Sequence, residues 1–95
     1  MDRLFIVAYD ISDQKRWRKV FKIMKGFGEW MQLSVFQCNL GPQKALEMEY
    51  ALREIILEGK DHVLIIDLGP SDKLKPRFKS LGRPLEPLEK KAVIF

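Results

Sequence analysis

Arg3-Leu4-Phe5-Ile6-Val7-Ala8-Tyr9-Asp10, continued by Ile11-Ser12-Asp13 and then by Gln14 to Lys25, is the stretch on which the fold turns. Its first eight residues form a short apolar run, rich in β-formers and stopped by an acid, which is the pattern of a buried strand. Ser12 and Asp13 then offer side-chain oxygens that can cap a helix. From Gln14 to Lys25 the apolar residues Trp17, Val20, Phe21 and Met24 recur at i, i+3, i+4 and i+7. That spacing predicts an amphipathic helix with one buried stripe, ended by Gly26 or Gly28.

Beyond this unit, Trp30 to Leu40 alternates, with Met31, Leu33 and Val35 on one face and Gln32, Ser34 and Phe36 on the other, as in a half-buried strand. The pattern fits one bent strand or two short ones. Gly41-Pro42 opens a second helix, since proline is tolerated at the first helical position, and Ala45, Met48, Leu52, Ile55 and Ile56 make its core face until Gly59 closes it. Asp61 to Leu68 reads as another buried strand, and Arg77 to Leu81 as a weak candidate for one more. Two helices interleaved with a mainly antiparallel sheet predict a ferredoxin-like α+β sandwich of the β-α-β-β-α-β kind. Residues 1–95 are expected to form a single domain, with 82–95 as a C-terminal arm and strand. The apolar Ala92-Val93-Ile94-Phe95 tail is difficult for a lone small domain to cover, so an extra C-terminal strand exchanged in a homodimer is expected.

Composition narrows the function classes. With 46% hydrophobic and 32% charged residues the chain is globular in type. The longest apolar run, Leu4 to Tyr9, is too short to cross a bilayer, and the first residues lack the pattern of a secretory signal, so no membrane role and a cytoplasmic location are expected. One cysteine, Cys38, and one histidine, His62, speak against a multi-cysteine zinc site and Ser-His-Asp catalysis. Cys38 is most simply a buried small residue, and His62 a surface residue at a strand start. The net charge of +4 is uneven. Residues 1–40 carry seven Lys/Arg against four acids, 41–59 two against four, and 60–95 eight against five.

The first helix concentrates that charge. Lys15, Arg16, Arg18, Lys19, Lys22 and Lys25 line it with no acid after Asp13. Solvated helix faces usually mix signs, so an all-basic face points to a polyanion partner, and Lys15, Arg16, Arg18, Lys19 and Lys22 are the candidate phosphate ligands. Asp10 ends the first strand, at an edge where a catalytic or ligand-binding group is often placed, although a strand-terminal aspartate taken alone is more often a turn or capping residue. Hard ions such as Mg²⁺ take oxygen ligands, and one carboxylate per chain becomes a better site if a two-fold axis doubles it. An RNA-recognition motif is disfavoured, because no later strand carries the basic-Gly-aromatic run that Leu4-Phe5-Ile6-Val7 would need as its counterpart.

Tyr9-Asp10-Ile11-Ser12-Asp13, then Arg16 and Arg18-Lys19-Val20, then Gly28 and Gln32-Leu33-Ser34-Val35-Phe36-Gln37-Cys38, resembles the signature of the Cas-two proteins of CRISPR adaptation. The resemblance spans residues 3–40 closely and the rest in outline. It implies a ferredoxin-like homodimer, Mg²⁺ or Mn²⁺ shared by the two Asp10 residues, and a place beside a Cas-one integrase as a scaffold for spacer acquisition. It also implies metal-dependent endonuclease activity on RNA or double-stranded DNA. By that resemblance Asp10 matches the metal position, and Tyr9, Arg16, Arg18, Ser34 and Phe36 fall in the motifs taken as catalytic. Trp17 stands where many relatives carry a basic residue. The alternative reading is a toxin-like ribonuclease of the virulence-associated D family, which shares the fold but is opposed by the Tyr9 to Asp13 and Gln32 to Cys38 motifs.

Overall fold

The computed structural model describes residues 1–82. Strand β1 (Arg3–Asp10) runs into helix α1 (Gln14–Lys25), followed by strands β2 (Glu29–Gln32) and β3 (Val35–Leu40), helix α2 (Pro42–Ile55) and strand β4 (His62–Pro70), with a 3₁₀ turn over Ser71–Lys73. The sheet order is β2-β3-β1-β4, and every neighbouring pair is antiparallel. This is the expected α+β arrangement, with both helices on one side of the sheet. The C-terminal arm and the 92–95 strand lie outside the described residues, as does the exchange expected of them.

Local chemistry sets the boundaries of α1. The Asp13 carboxylate accepts from the Arg16 backbone N–H at 2.9 Å, satisfying a donor the helix leaves open. Gly26 ends the helix, and the chain then has to pass very close to β3. A Cβ on Gly28 would sit 2.5 Å from both Cys38 Sγ and the Gln37 carbonyl oxygen, so only glycine fits. Helix α2 starts on Pro42 after Gly41, as the sequence predicts, but it ends at Ile55, before Gly59, which takes a positive φ of 87° in the turn beyond.

One open alternative is resolved and three expectations are corrected. Residues 30–40 form two strands, because Leu33 adopts φ 36° and turns the chain, with the Trp30 Nε1–H donating to the Leu33 carbonyl at 3.1 Å. Leu33 is therefore 76% exposed in a turn rather than sharing a sheet face with Met31 and Val35. β4 is buried on one side only: Val63 and Ile65 pack on the core, whereas Leu64 and Ile66 stay 47% and 41% exposed. Residues 77–81 form no strand, and residues 78–81 instead come beside Met31, Gln32 and Val35.

The core lies between the helices and the sheet. Val7 and Tyr9 of β1, Phe36, Cys38 and Leu40 of β3, Val20, Phe21 and Met24 of α1, and Met48 and Leu52 of α2 are buried together. Tyr9 and Phe36 stack with centroids 6.3 Å apart, Phe21 meets Phe36 edge-on at 5.5 Å, and Trp17 lies parallel to Phe21 at 5.3 Å. Aromatic pairs in these geometries add to the stabilisation from burial alone. Their packing fixes how α1 sits over the end of β1.

Candidate nucleic-acid and metal site

Strand alternation divides β1 between two environments. Phe5, Val7 and Tyr9 face the helices, and Ile6, Ala8 and Asp10 face the other way. Asp10 is the last residue of the strand and is exposed, and its carboxylate has no hydrogen bond or ion pair among the described residues. It is therefore available as a ligand. No group of three or more His, Cys, Asp or Glu side chains converges into a metal cage among the described residues. A single free carboxylate fits a hard ion that keeps most of its shell as water, phosphate and ligands from a second chain. One carboxylate therefore fits a hard divalent ion only where other ligands complete its shell.

The loop after Asp10 is held by a residue the sequence reading did not single out. The Asp61 side chain is wholly shielded from solvent. It accepts from Arg16 Nε at 2.7 Å and Arg16 Nη2 at 3.1 Å, from the Leu57 backbone N–H at 2.9 Å and from the Ser12 backbone N–H at 3.2 Å. The paired Arg16 guanidinium holds the Asp61 carboxyl well below the usual carboxylate range, and Asp61 in turn raises the pKa of Arg16. A fork-to-carboxylate pair of this kind fixes direction as well as charge. It ties the start of β4 to the first turn of α1 across the end of β1. No local pattern announces it, since Arg16 and Asp61 are 45 residues apart.

The other motif residues separate into two groups. Tyr9 and Phe36 are buried in the aromatic core. The Tyr9 hydroxyl has no hydrogen-bond partner among the described residues, and burial pushes its pKa up. Ser34 accepts from Trp17 Nε1–H at 2.8 Å, while its carbonyl accepts from the Tyr9 backbone N–H at 3.1 Å. Trp17 therefore links α1 to the β2-β3 turn. Burial also raises the Cys38 thiol to about 11, as expected for an inert core cysteine. Lys15, Arg18, Lys19 and Lys22, by contrast, are all exposed on α1 and form no ion pair among the described residues. Arg16 alone of the expected phosphate ligands is turned inward to an acid.

Comparison with known proteins agrees with this geometry. The family model for the CRISPR associated protein Cas2 matches residues 2–75. The chain belongs to the Cas2 family. It is 51% identical over 94 residues to a CRISPR-associated endoribonuclease Cas2 of Geobacter sulfurreducens, covering 99% of each chain. It is also 48% identical to CRISPR-associated endoribonuclease Cas2 1 of Rhodospirillum rubrum, covering 99% of this chain and 92% of that one. A crystal structure of Cas2 superposes with a TM-score of 0.76 at 30% identity, covering 90% of this chain and 97% of that one. The fold read from the sequence is thus that of Cas2 structures, and the toxin-like alternative is not favoured. Among the described residues no helix is long and apolar enough to cross a membrane.

Proposed function

We propose that this Cas2-family chain works in CRISPR adaptation as a cytoplasmic homodimer that holds nucleic acid and serves as a scaffold for a Cas-one integrase. Metal-dependent endonuclease activity on RNA or double-stranded DNA is its second capacity, centred on Asp10. The observation that carries the reading is the free Asp10 carboxylate, exposed at the end of β1 and followed at once by a helix whose Lys15, Arg18, Lys19 and Lys22 lack protein partners among the described residues. Four unpaired cations on one helix favour phosphate contacts that hold nucleic acid without reading its sequence.

The open side of the sheet supports self-association. Leu64 and Ile66 are exposed beside Ile6, and an apolar strip of this kind is suited to a second copy. Asp10 lies at the end of that same side, where a two-fold axis can bring two carboxylates to one Mg²⁺ or Mn²⁺ ion. The ion would stabilise charge on a phosphodiester and activate water. Arg18 joins the phosphate contacts. Tyr9, Arg16, Ser34 and Phe36, which are packed or bonded within the chain, act as positioning residues that hold the Asp10 loop and α1 in register.

The test compares Asp10→Asn with a Lys15, Lys19 and Lys22 triple alanine variant. Asp10→Asn is expected to abolish cleavage of RNA and duplex DNA in Mg²⁺ or Mn²⁺ while keeping dimerisation, salt-sensitive binding and spacer acquisition with the integrase. The triple variant is expected to bind duplex more weakly, with a flatter dependence on salt. Cleavage that survives Asp10→Asn refutes the metal role, and an unchanged salt slope in the triple variant refutes the phosphate role.

A further inference from the structure

The register of β1 and β4 places Asp10 directly opposite His62, on the last rung of the pairing. Partners on one rung project from the same side of a sheet, and their Cβ atoms lie about 4.5–5.5 Å apart. The neighbouring rung pairs Tyr9 with Val63, and both of those side chains pack on the core. Asp10 and His62 therefore share the opposite, open side, and both are exposed. Neither side chain has a hydrogen bond or ion pair among the described residues. The nearest acid in sequence, Asp61, is not available to this pair, because Arg16 and two backbone N–H groups hold its carboxylate inside the fold.

We propose that His62 completes the Asp10 metal site, so that each subunit offers one carboxylate oxygen and one imidazole nitrogen to a divalent ion. The inference rests on the reading of Asp10 as a metal ligand and adds a second donor and a metal preference to it. A carboxylate and an imidazole on one rung can close on the same ion, whose bonds to nitrogen and oxygen donors are about 2.0–2.2 Å for ions of this size. The chemical consequence is selectivity. Carboxylate and water alone suit Mg²⁺, whereas an added imidazole favours Co²⁺, Ni²⁺ and Zn²⁺ through the ordinary order of divalent affinities. In a dimer the site holds a nitrogen from each chain, and the borderline ions gain twice.

The experiment uses the untagged full-length protein and Co²⁺ and Mg²⁺ as probes, read by titration calorimetry and by nitrogen NMR of the histidine ring. His62 is the only histidine in the chain, so its ring signals need no assignment. Wild type is expected to bind Co²⁺ with a large perturbation of one ring nitrogen. In His62→Ala the Co²⁺ affinity falls by about tenfold or more, at least the loss seen when a supporting group of a metal ligand is removed, while Mg²⁺ binding stays within about twofold. Asp10→Asn weakens both ions. If Asp10→Asn weakens metal binding but His62→Ala does not, and the ring signals stay unperturbed, His62 is no ligand and the Asp10 reading stands. If neither substitution alters binding of either ion, the Asp10 reading and this inference fall together.

Discussion

The two sides of the one sheet contrast sharply. The helix side is dry and aromatic: Val7, Phe36 and Cys38 are completely buried, and Tyr9, Trp17, Phe21 and Phe36 touch in series. The other side carries Ile6, Leu64 and Ile66 next to Asp10 and His62, with its apolar residues left partly exposed. Residues adjacent in sequence are thereby committed to opposite tasks, since Tyr9 builds the core and Asp10 meets solvent. Stability resides on one side and the proposed self-association and metal chemistry on the other.

The contrast is broken most strongly from the helix side. Phe36→Ala removes the ring against which Tyr9 and Phe21 pack and is expected to cost about 3–5 kcal/mol in denaturant unfolding, because the cavity cannot fully collapse. A loss below about 1 kcal/mol refutes the assignment of Phe36 to the core. Gly28→Ala comes next, at about 1–3 kcal/mol, since the added methyl group meets Cys38 Sγ and the Gln37 backbone and one of them has to move.

Changes on the open side sharpen the comparison in the opposite sense. Ile66→Glu is expected to leave the circular dichroism of the folded chain unchanged and to shift light scattering from the proposed dimer to monomer, because it charges a partly exposed site outside the core. A variant that remains dimeric shows that the chains associate through another surface. The smallest effect belongs to Tyr9→Phe, which deletes a buried hydroxyl that has no partner among the described residues. It is expected to be neutral or to stabilise by up to about 1 kcal/mol, with nuclease activity retained. Loss of cleavage with stability intact gives the hydroxyl a direct chemical role.

The site was legible in the sequence only where its signals are local. Asp10 stood out because a strand pattern stopped at it, and Lys15, Arg18, Lys19 and Lys22 because a 12-residue helix carried them on one face. Arg16 belonged to that same face by spacing, yet it points to Asp61, and nothing in either segment shows that they meet. His62 read as an ordinary surface residue at a strand start, which it is; its place opposite Asp10 comes from strand pairing alone. Residues 30–40 were ambiguous because alternation survives a tight turn, and Leu33 carries no glycine or asparagine to mark its left-handed backbone.

Sequence pattern was enough for β1, for both helices and for their buried stripes, because hydrophobic periodicity and capping act within a few residues. It also determined the basic character of α1, which needs no partner to be read. Tertiary structure alone decided which cation is paired, which glycine must be glycine and which two residues share the last rung of β1 and β4. Those outcomes depend on contacts between segments far apart in the chain, formed only once the aromatic core has set the helices on the sheet and the pairing register has brought His62 to Asp10.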